Sequence, residues 1–339
     1  MQDAQLSELV EEISAPSPAL VNQVGTWGNV IVLGAGGKIG SGLSTMLALA
    51  FAAAGNTSSV LAVSRWNDET ARAALAAGGV TTLRANAADP ASLAALPDVD
   101  RVVFLVGAKF GTSSNPSEAW MANTVLPNAV ASRFPDARIA ALSTGNVYPF
   151  TPAFTGGPDE TVHPSPVGEY AMSCLGRERV FQHAALTAGT LVSILRLNYA
   201  CEPRYGVVAD IARRVYGGEP VDVSVGAVNV VGQRYVNEVI LRSLDFASSN
   251  VFTLNLVGPE TASVRWIAGQ LGNAFGREPV ISGVEGGTSL LSNGARCHSL
   301  FGYPDVSLAQ LIDKQVRWMQ EGGELWAKPT KFERTDGKF

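Results

Sequence analysis

The run Asn29-Val-Ile-Val-Leu33 passes directly into Gly34-Ala-Gly-Gly-Lys-Ile-Gly40, and an Ala/Leu-rich stretch follows from about Ser41 to Ala54. A buried strand, a glycine turn and an apolar helix in that order constrain the fold more than any other feature of the chain. Such a turn lets backbone N–H groups and the helix dipole face a pyrophosphate. The G-x-G-x-x-G form fails, because its last position is Ile39. Gly34, Gly37 and Gly40 fit G-x-x-G-x-x-G instead. The placement predicts a dinucleotide site that includes Lys38 and Ile39. The plainer alternative is a turn that serves the chain reversal alone.

The remaining order of elements fits the same fold. Val60-Leu-Ala-Val63, Val80-Thr-Thr-Leu83, Val102-Val-Phe-Leu-Val106, Arg138-Ile-Ala-Ala-Leu142 and Leu191-Val-Ser-Ile-Leu195 read as strands. Helical stretches over about 68–77, 116–133 and 169–188 lie between them. Strands alternating with helices form βαβ units, so the expected fold is α/β, a Rossmann-type doubly wound parallel sheet. After Arg196 short strands (225–231, 251–257) mix with helices near 207–217, 236–248 and 263–275, which predicts a smaller mixed α/β substrate lobe. Residues 4–13 place Leu6, Leu9, Val10 and Ile13 at helical spacing. The expected division is therefore a helical extension over 1–24, a dinucleotide-binding domain over 25–195, and a substrate lobe with its tail over 196–339.

Composition narrows the function. The chain has 339 residues, which at about 150 per domain suits this two-part division. It is 46% hydrophobic and 16% charged, enough for a large core. The net charge of −5 argues against nucleic acid or an anionic membrane as partner. Cys174, Cys201 and Cys297 form no CxxC, and His163, His183 and His298 are scattered, so no metal site is expected. The acidic N-terminal stretch is no signal peptide, and the longest apolar run is short of the ~20 residues of a membrane span. A cytoplasmic protein with a small-molecule substrate is expected.

The end of the second strand indicates which dinucleotide. A carboxylate there would bind the adenosine ribose 2′-hydroxyl and favour NAD. The sequence offers Ser64 and Arg65 instead, and a guanidinium suits a 2′-phosphate. NAD or NADP fits, with NADP favoured. The alternative is that Arg65 is a solvated side chain.

Further motifs resemble the extended short-chain dehydrogenase/reductases, in particular the NAD-dependent epimerase/dehydratase family, over about residues 28–320. Asn86-Ala-Ala-Asp89 stands where that family has an acidic turn near the adenine, and Asn123 where it has an asparagine in its fourth helix. Ser143-Thr-Gly-Asn-Val-Tyr-Pro149 is similar to its S-S-x-x-V-Y-G strand end. Glu169-Tyr-Ala-Met-Ser-Cys-Leu-Gly-Arg-Glu178 stands in place of its tyrosine helix, and Val236-Asn-Glu-Val239 in place of its V-D-D-V. The resemblance implies a nicotinamide cofactor held by the first lobe, with contacts at Asn86, Ala87, Val106, Gly107, Asn123 and Tyr170. It implies a polyhydroxylated or nucleotide-sugar substrate in the cleft, Thr144 as hydrogen-bond partner of the reacting oxygen, and Tyr170 as general acid/base. It also implies a homodimer through the helices near 116–133 and 169–188.

One departure matters most. A free tyrosine has a pKa near ~10 and is a poor base at neutral pH. The family supports it with the lysine of Y-x-x-x-K, and Cys174 occupies that place. A neutral thiol supplies no cation. Three readings are open. Lys109, after the fourth strand, or Arg177, seven residues beyond Tyr170, replaces the lysine. Alternatively, Tyr170 is no strong base and the chemistry is that of a lyase, isomerase or undemanding reductase. In the third, the chain binds the cofactor without redox catalysis. On the substrate side, Arg196-Leu-Asn-Tyr-Ala-Cys-Glu-Pro-Arg204 resembles the family's cleft-lining R-x-x-N run. Asn146, Asn198, Tyr199, Arg204 and Arg234 are the candidate substrate contacts, with salt bridges as the alternative for the two arginines. Glu160 and His163 are weaker candidates in the loop before Tyr170.

Overall fold

The computed structural model describes residues 2–109, 111, 114–326 and 328–338, with side chains from Leu6 onward. Seven strands form the main sheet: β1 (Val30–Leu33), β2 (Val60–Ser64), β3 (Thr81–Arg84), β4 (Arg101–Phe104), β5 (Arg138–Thr144), β6 (Leu191–Leu197) and β7 (Phe252–Leu256). Their order is β7-β6-β5-β4-β1-β2-β3, and every neighbouring pair is parallel. Side chains alternate across a strand, so a sheet covered on both faces needs apolar residues at every position. β1 meets that demand. Val30 and Val32 pack with the helices Gly40–Ala53 and Gln233–Arg242, whereas Ile31 and Leu33 pack with the helices Leu126–Arg133 and Gly168–Ala188.

The chain winds away from β1 in both directions, through β2 on one side and β4 on the other. The resulting crevice lies at the carboxyl ends of those two strands, where an open α/β sheet binds its ligands. The glycine turn leaves β1 at that point and the Leu105–Lys109 loop leaves β4. The second lobe has its own core, built on the helices Val207–Gly217 and Val264–Phe275 with Val221, Val223, Val228 and Phe332.

Three features depart from the sequence reading. The stretch expected as a short strand of the second lobe at 251–257 is β7, which pairs with β6 in the main sheet from Phe252↔Ser193 to Leu256↔Leu197. Pairing across some 55 residues leaves no local signal. A second N-terminal helix, Pro18–Val24, starts at the Ser17 cap and packs into the main core through Leu20 and Val24. The helix expected over 116–133 is interrupted by a π turn at Met121–Val125, the segment that contains Asn123. Among the described residues, no helix is long and apolar enough to cross a membrane, and no three His, Cys, Asp or Glu side chains converge on a metal position.

The glycine turn yields the first prediction. A Cβ on Gly40 would lie 2.5 Å from Ala35 Cα and 2.7 Å from the Gly34 carbonyl oxygen. Backbone cannot give way as a side chain does, so Gly40→Ala should cost about 1–3 kcal/mol. Urea unfolding reads the loss as a lowered midpoint; an unchanged midpoint would contradict the packing described.

Candidate functional site

The glycine turn is built for close approach. Gly34 has φ +88, a left-handed conformation open to glycine, and its virtual Cβ would touch the backbone of Leu105 and Val106, just past β4, at 3.1 Å. Gly34 N–H donates to Val63 O at 2.9 Å, which ties the turn to the end of β2. A Cβ on Gly36 would crowd Ser64 Oγ at 2.8 Å, so Gly36 and Ser64 face each other across the mouth. Gly36 and Gly37 are exposed, and the helix Gly40–Ala53 begins immediately behind them. An exposed turn at the start of a long helix fits the pyrophosphate of a dinucleotide, with Gly37 N–H itself donating to Gly34 O at 3.0 Å inside the turn. Arg65 lies exposed just past β2, followed by the buried Trp66. Asn86 is exposed and caps its own turn by accepting from Ala88 N–H at 3.2 Å, with Ala87 beside it. Val106 and Gly107 sit on the loop after β4, Val106 with its backbone against Gly34 and Gly107 beside Arg177 and Asn123.

Thr144, Tyr170 and Cys174 come together at the end of β5. Thr144 Oγ accepts from Asn146 N–H at 3.2 Å and Asn146 Nδ2 at 3.0 Å. The Tyr170 hydroxyl is in hydrogen-bond contact with both Thr144 and the Cys174 thiol. Burial, and after it Cys174, push the phenol above its ordinary range; Arg177 and the Thr144 hydroxyl pull the other way without cancelling that rise. Burial also raises the Cys174 thiol, so it packs as a small neutral side chain against Val147, Tyr148 and Tyr170.

Both cations considered from the sequence reach this cluster. Arg177 is 6% exposed and donates to Leu142 O at 2.6 Å and to Asn123 Oδ1. It is the cation that favours the ionised phenol most, which its position seven residues along the same helix permits. Gly107 leaves it room, since a Cβ there would lie 2.5 Å from Arg177 Nη2. Lys109 Nζ lies 5.9 Å from the Tyr170 ring centre and donates to the Thr330 carbonyl at 3.1 Å. Burial lowers Lys109 to about 8, and Lys38, 3.3 Å above the Tyr205 ring, is lowered to about 7 by burial and then by Lys109. Asn123 ties the pieces together. Its Oδ1 accepts from Ala108 N–H at 3.1 Å, while Nδ2 donates to Ala108 O at 3.0 Å and Ser173 Oγ at 2.9 Å. The π turn gives that side chain its place, a use common at functional sites.

A buried polar network carries the tyrosine helix. Glu178 accepts from Arg196 Nε at 3.0 Å and Nη2 at 2.7 Å, and from Ser143 Oγ at 2.6 Å. Arg196 also donates to Tyr148 Oη at 2.6 Å, whose hydroxyl donates to Asn255 Oδ1 at 2.9 Å. These contacts join β5, β6, β7 and the helix that bears Tyr170. The sequence reading missed Glu178, Tyr148 and Asn255, whose pairing is visible only once the strands are side by side.

The candidate substrate residues divide. Asn198 is 2% exposed, and neither amide atom has a hydrogen-bond partner in the structure. It lies against Gly145, where a Cβ would fall 1.6 Å from its Oδ1. Ser292 Oγ is also buried without a partner and comes within 3.1 Å of the same virtual Cβ. Ser292 was not legible in the sequence, because it lies 148 positions beyond Thr144. Tyr199, with φ +35, packs beside the second-lobe core. Arg204 is paired with Glu202 at 2.7 Å and lies over Trp326; Arg234 is paired with Asp305 and donates to Ala15 O at 3.0 Å. The salt-bridge alternative therefore describes both arginines. Glu160 accepts from Asn255 N–H at 2.8 Å, which gives it a structural partner, and His163 is exposed.

A doubly wound parallel sheet with a glycine turn after its first strand, a threonine and tyrosine together at the end of β5, and a second lobe with its own core defines a two-lobed Rossmann-fold protein. Residues 30–234, well over half of the chain, match the family described as NAD dependent epimerase/dehydratase, and the chain belongs to that family. Solved structures of the same fold include Pal from Bacillus thuringiensis (TM-score 0.73, 15% identity, 86% of this chain and 99% of that one). UDP-glucose 4-epimerase from Thermotoga maritima with UDP-glucose superposes at TM-score 0.71, with 18% identity and the same coverage. A variant of UDP-glucuronic acid 4-epimerase from Bacillus cereus, in complex with a fluorinated UDP-glucuronic acid and NAD, gives TM-score 0.72 at 17% identity, again over 86% and 99%. No curated protein matches the chain.

Two stability predictions follow from the buried polar groups. Glu178→Ala leaves Arg196 buried without its carboxylate and should cost about 3–5 kcal/mol in denaturant unfolding. Ser292→Ala removes a hydroxyl that has no partner, so its unfolding midpoint should be unchanged or raised. A clear loss of stability in Ser292→Ala would mean that the hydroxyl serves the fold.

Proposed function

We propose that the protein is an NAD(P)-dependent enzyme that acts on a polyhydroxylated, sugar-like substrate, with Tyr170 as general acid/base and Thr144 holding the reacting oxygen. The observation that carries this reading is the contact of Thr144 with Tyr170 at the cleft end of β5, with Arg177 beside the phenol. The UDP-sugars and NAD in the complexes of similar fold support the same substrate and cofactor classes. Gly34, Gly36, Gly37 and the start of the following helix would hold the pyrophosphate, and Arg65 favours the 2′-phosphate of NADP. When bound, the nicotinamide supplies the hydride donor or acceptor.

The remaining steps belong to the chain's own side chains. Tyr170 is protonated at neutral pH, so it is ready to give a proton to an oxygen that gains charge. Taking a proton back requires a phenolate, and Arg177 and Lys109 are the groups that lower its cost in place of the absent lysine. Asn198 and Ser292 present buried donors and acceptors to substrate hydroxyls near Thr144. The exposed Trp120, Met121, Val125 and Met172 on the helices around 116–125 and 168–188 support a homodimer through that face.

The raised phenol and the thiol at Cys174 favour one second reading, a cofactor-binding protein without redox turnover. A screen of sugars, sugar acids and nucleotide sugars with each nicotinamide cofactor separates the two. Tyr170→Phe should keep cofactor binding and lose at least about 100-fold in turnover. Turnover that survives in Tyr170→Phe removes the tyrosine from the mechanism, and silence across the screen favours the second reading.

The two cations predict different pH profiles. A lysine lowered to about 8 loses its charge as pH rises through that value, whereas arginine stays charged throughout. If Lys109 supports the reaction as a cation, turnover falls above about pH 8, and Lys109→Met lowers the rate and abolishes that limb. A wild-type profile that is flat through pH 8–9 assigns the supporting role to Arg177 alone.

A further inference from the structure

The C-terminal segment leaves the helix Leu308–Gln320 at Gly322–Gly323 and returns to the second lobe and to Lys109 of the first. Trp326 N–H donates to Arg204 O at 2.9 Å, and its ring lies 4.6 Å from the Arg204 guanidinium. Asp210 Oδ2 then accepts twice from Thr330, from N–H at 2.7 Å and from Oγ1 at 2.5 Å. Phe332 is buried in the second-lobe core, and Glu333 pairs with Arg214 at 3.2 Å. Asp210 and Arg214 lie one turn apart on the helix Val207–Gly217, so a single helix face clamps the segment at Thr330 and Glu333. Beyond the clamp, Gly337 packs on Val167 and Gly168 at the start of the Tyr170 helix; a Cβ on Gly168 would lie 2.4 Å from Gly337 O.

The clamp has a consequence for the first lobe. With its N–H and hydroxyl both turned to Asp210, Thr330 presents its carbonyl to Lys109 Nζ at 3.1 Å. A lysine ammonium rides on a flexible stem with freely rotating donors, so a fixed acceptor decides where it rests. The charged and titratable groups that act on Lys109 are Cys174, Asp210, Lys331 and Glu333, with Lys38 close by. Two of these belong to the segment, and one belongs to the helix that clamps it.

We propose that the segment Lys328–Glu333 is a working part of the candidate active site, in which Thr330, anchored by Asp210, is a positioning residue that holds Lys109 against Tyr170 and closes that end of the cleft to water. The proposal rests on the reading of Lys109 and Tyr170 given above. The segment lies outside residues 30–234, the part that matches the family.

The test follows Lys109 itself in the full-length protein without cofactor or substrate. Lysines carrying ¹³C at Cε are titrated by NMR between pH 6 and 11, and Lys109→Arg identifies the signal. Burial under the segment predicts titration near about 8 in the intact chain. Three variants release the segment: a chain that ends at Trp326, Phe332→Ala, and Arg214→Met, which leaves the core filled. Each should move Lys109 upward towards the ordinary lysine value near ~10.4, by about one unit or more, a tenfold change in proton affinity. Phe332→Leu, which refills the core position, should restore the wild-type titration. Circular dichroism and melting curves identify the variants that remain folded.

Two outcomes overturn the proposal: an ordinary lysine titration in the intact chain, or an unmoved signal in Arg214→Met and every other folded variant. Neither decides whether Tyr170 acts in turnover, a role that fails separately if Tyr170→Phe leaves turnover unchanged, and neither decides the enzyme reading, which fails on silence across the substrate screen.

Discussion

The pair formed by Glu178 and Arg196 is the interaction on which the site depends. Both side chains are almost fully withdrawn from water, at 0% and 5% exposure, and two parallel hydrogen bonds join them. A buried ion pair adds little net stability against a well-packed apolar pair, but losing one partner is costly, so it fixes geometry. Here it fixes the helix of Tyr170 to β6, while Ser143 on the same carboxylate fixes that helix to β5 and the adjacent Thr144. Tyr148 and Asn255 extend the lock to β7. The contact between Thr144 and Tyr170 is therefore held from beneath by a buried hydrogen-bonded network.

The second constraint is the crowding of the glycine turn against the ends of β2 and β4. Gly34, Gly36 and Gly40 each leave room for a neighbour that a methyl group would displace, and the turn stays shallow enough for a ligand to approach its backbone. Gly107 plays the matching part on the opposite wall, where its missing side chain admits the Arg177 guanidinium. Arg177 thus reaches the phenol from within the protein, through a helix position two turns beyond the tyrosine. Where the family places a lysine one turn beyond Tyr170 this chain has Cys174, and Arg177 brings a fixed positive charge to the phenol from the next turn of the helix.

Much of this was legible in the sequence because it is local. The apolar period of β1, the glycines after it, and the spacing of Thr144, Tyr170, Cys174 and Arg177 all lie within single elements or adjacent ones. What was not legible is carried by contacts between distant segments. β7 reaches the sheet after a long excursion, so 251–257 reads as a strand without a partner. The unsatisfied amide of Asn198 is a property of its surroundings, as is the nearby hydroxyl of Ser292. Arg204 and Arg234 illustrate the opposite limit. Their charge suggested an anion, and only the positions of Glu202 and Asp305 reveal their partners. The anchoring of Thr330 by Asp210 spans 120 positions and has no counterpart in any local pattern.

On the proposed function, the cleft between the glycine turn and the Tyr170 helix would hold a nicotinamide dinucleotide although the supporting lysine is absent. Calorimetric titration of the cofactor-stripped protein with NAD⁺, NADH, NADP⁺ and NADPH tests it most directly. The account predicts saturable one-to-one binding in the micromolar range or tighter, with the phosphorylated forms preferred through Arg65. Absence of binding by all four would contradict it, and would mean that the turn keeps the shape of a dinucleotide site without its use.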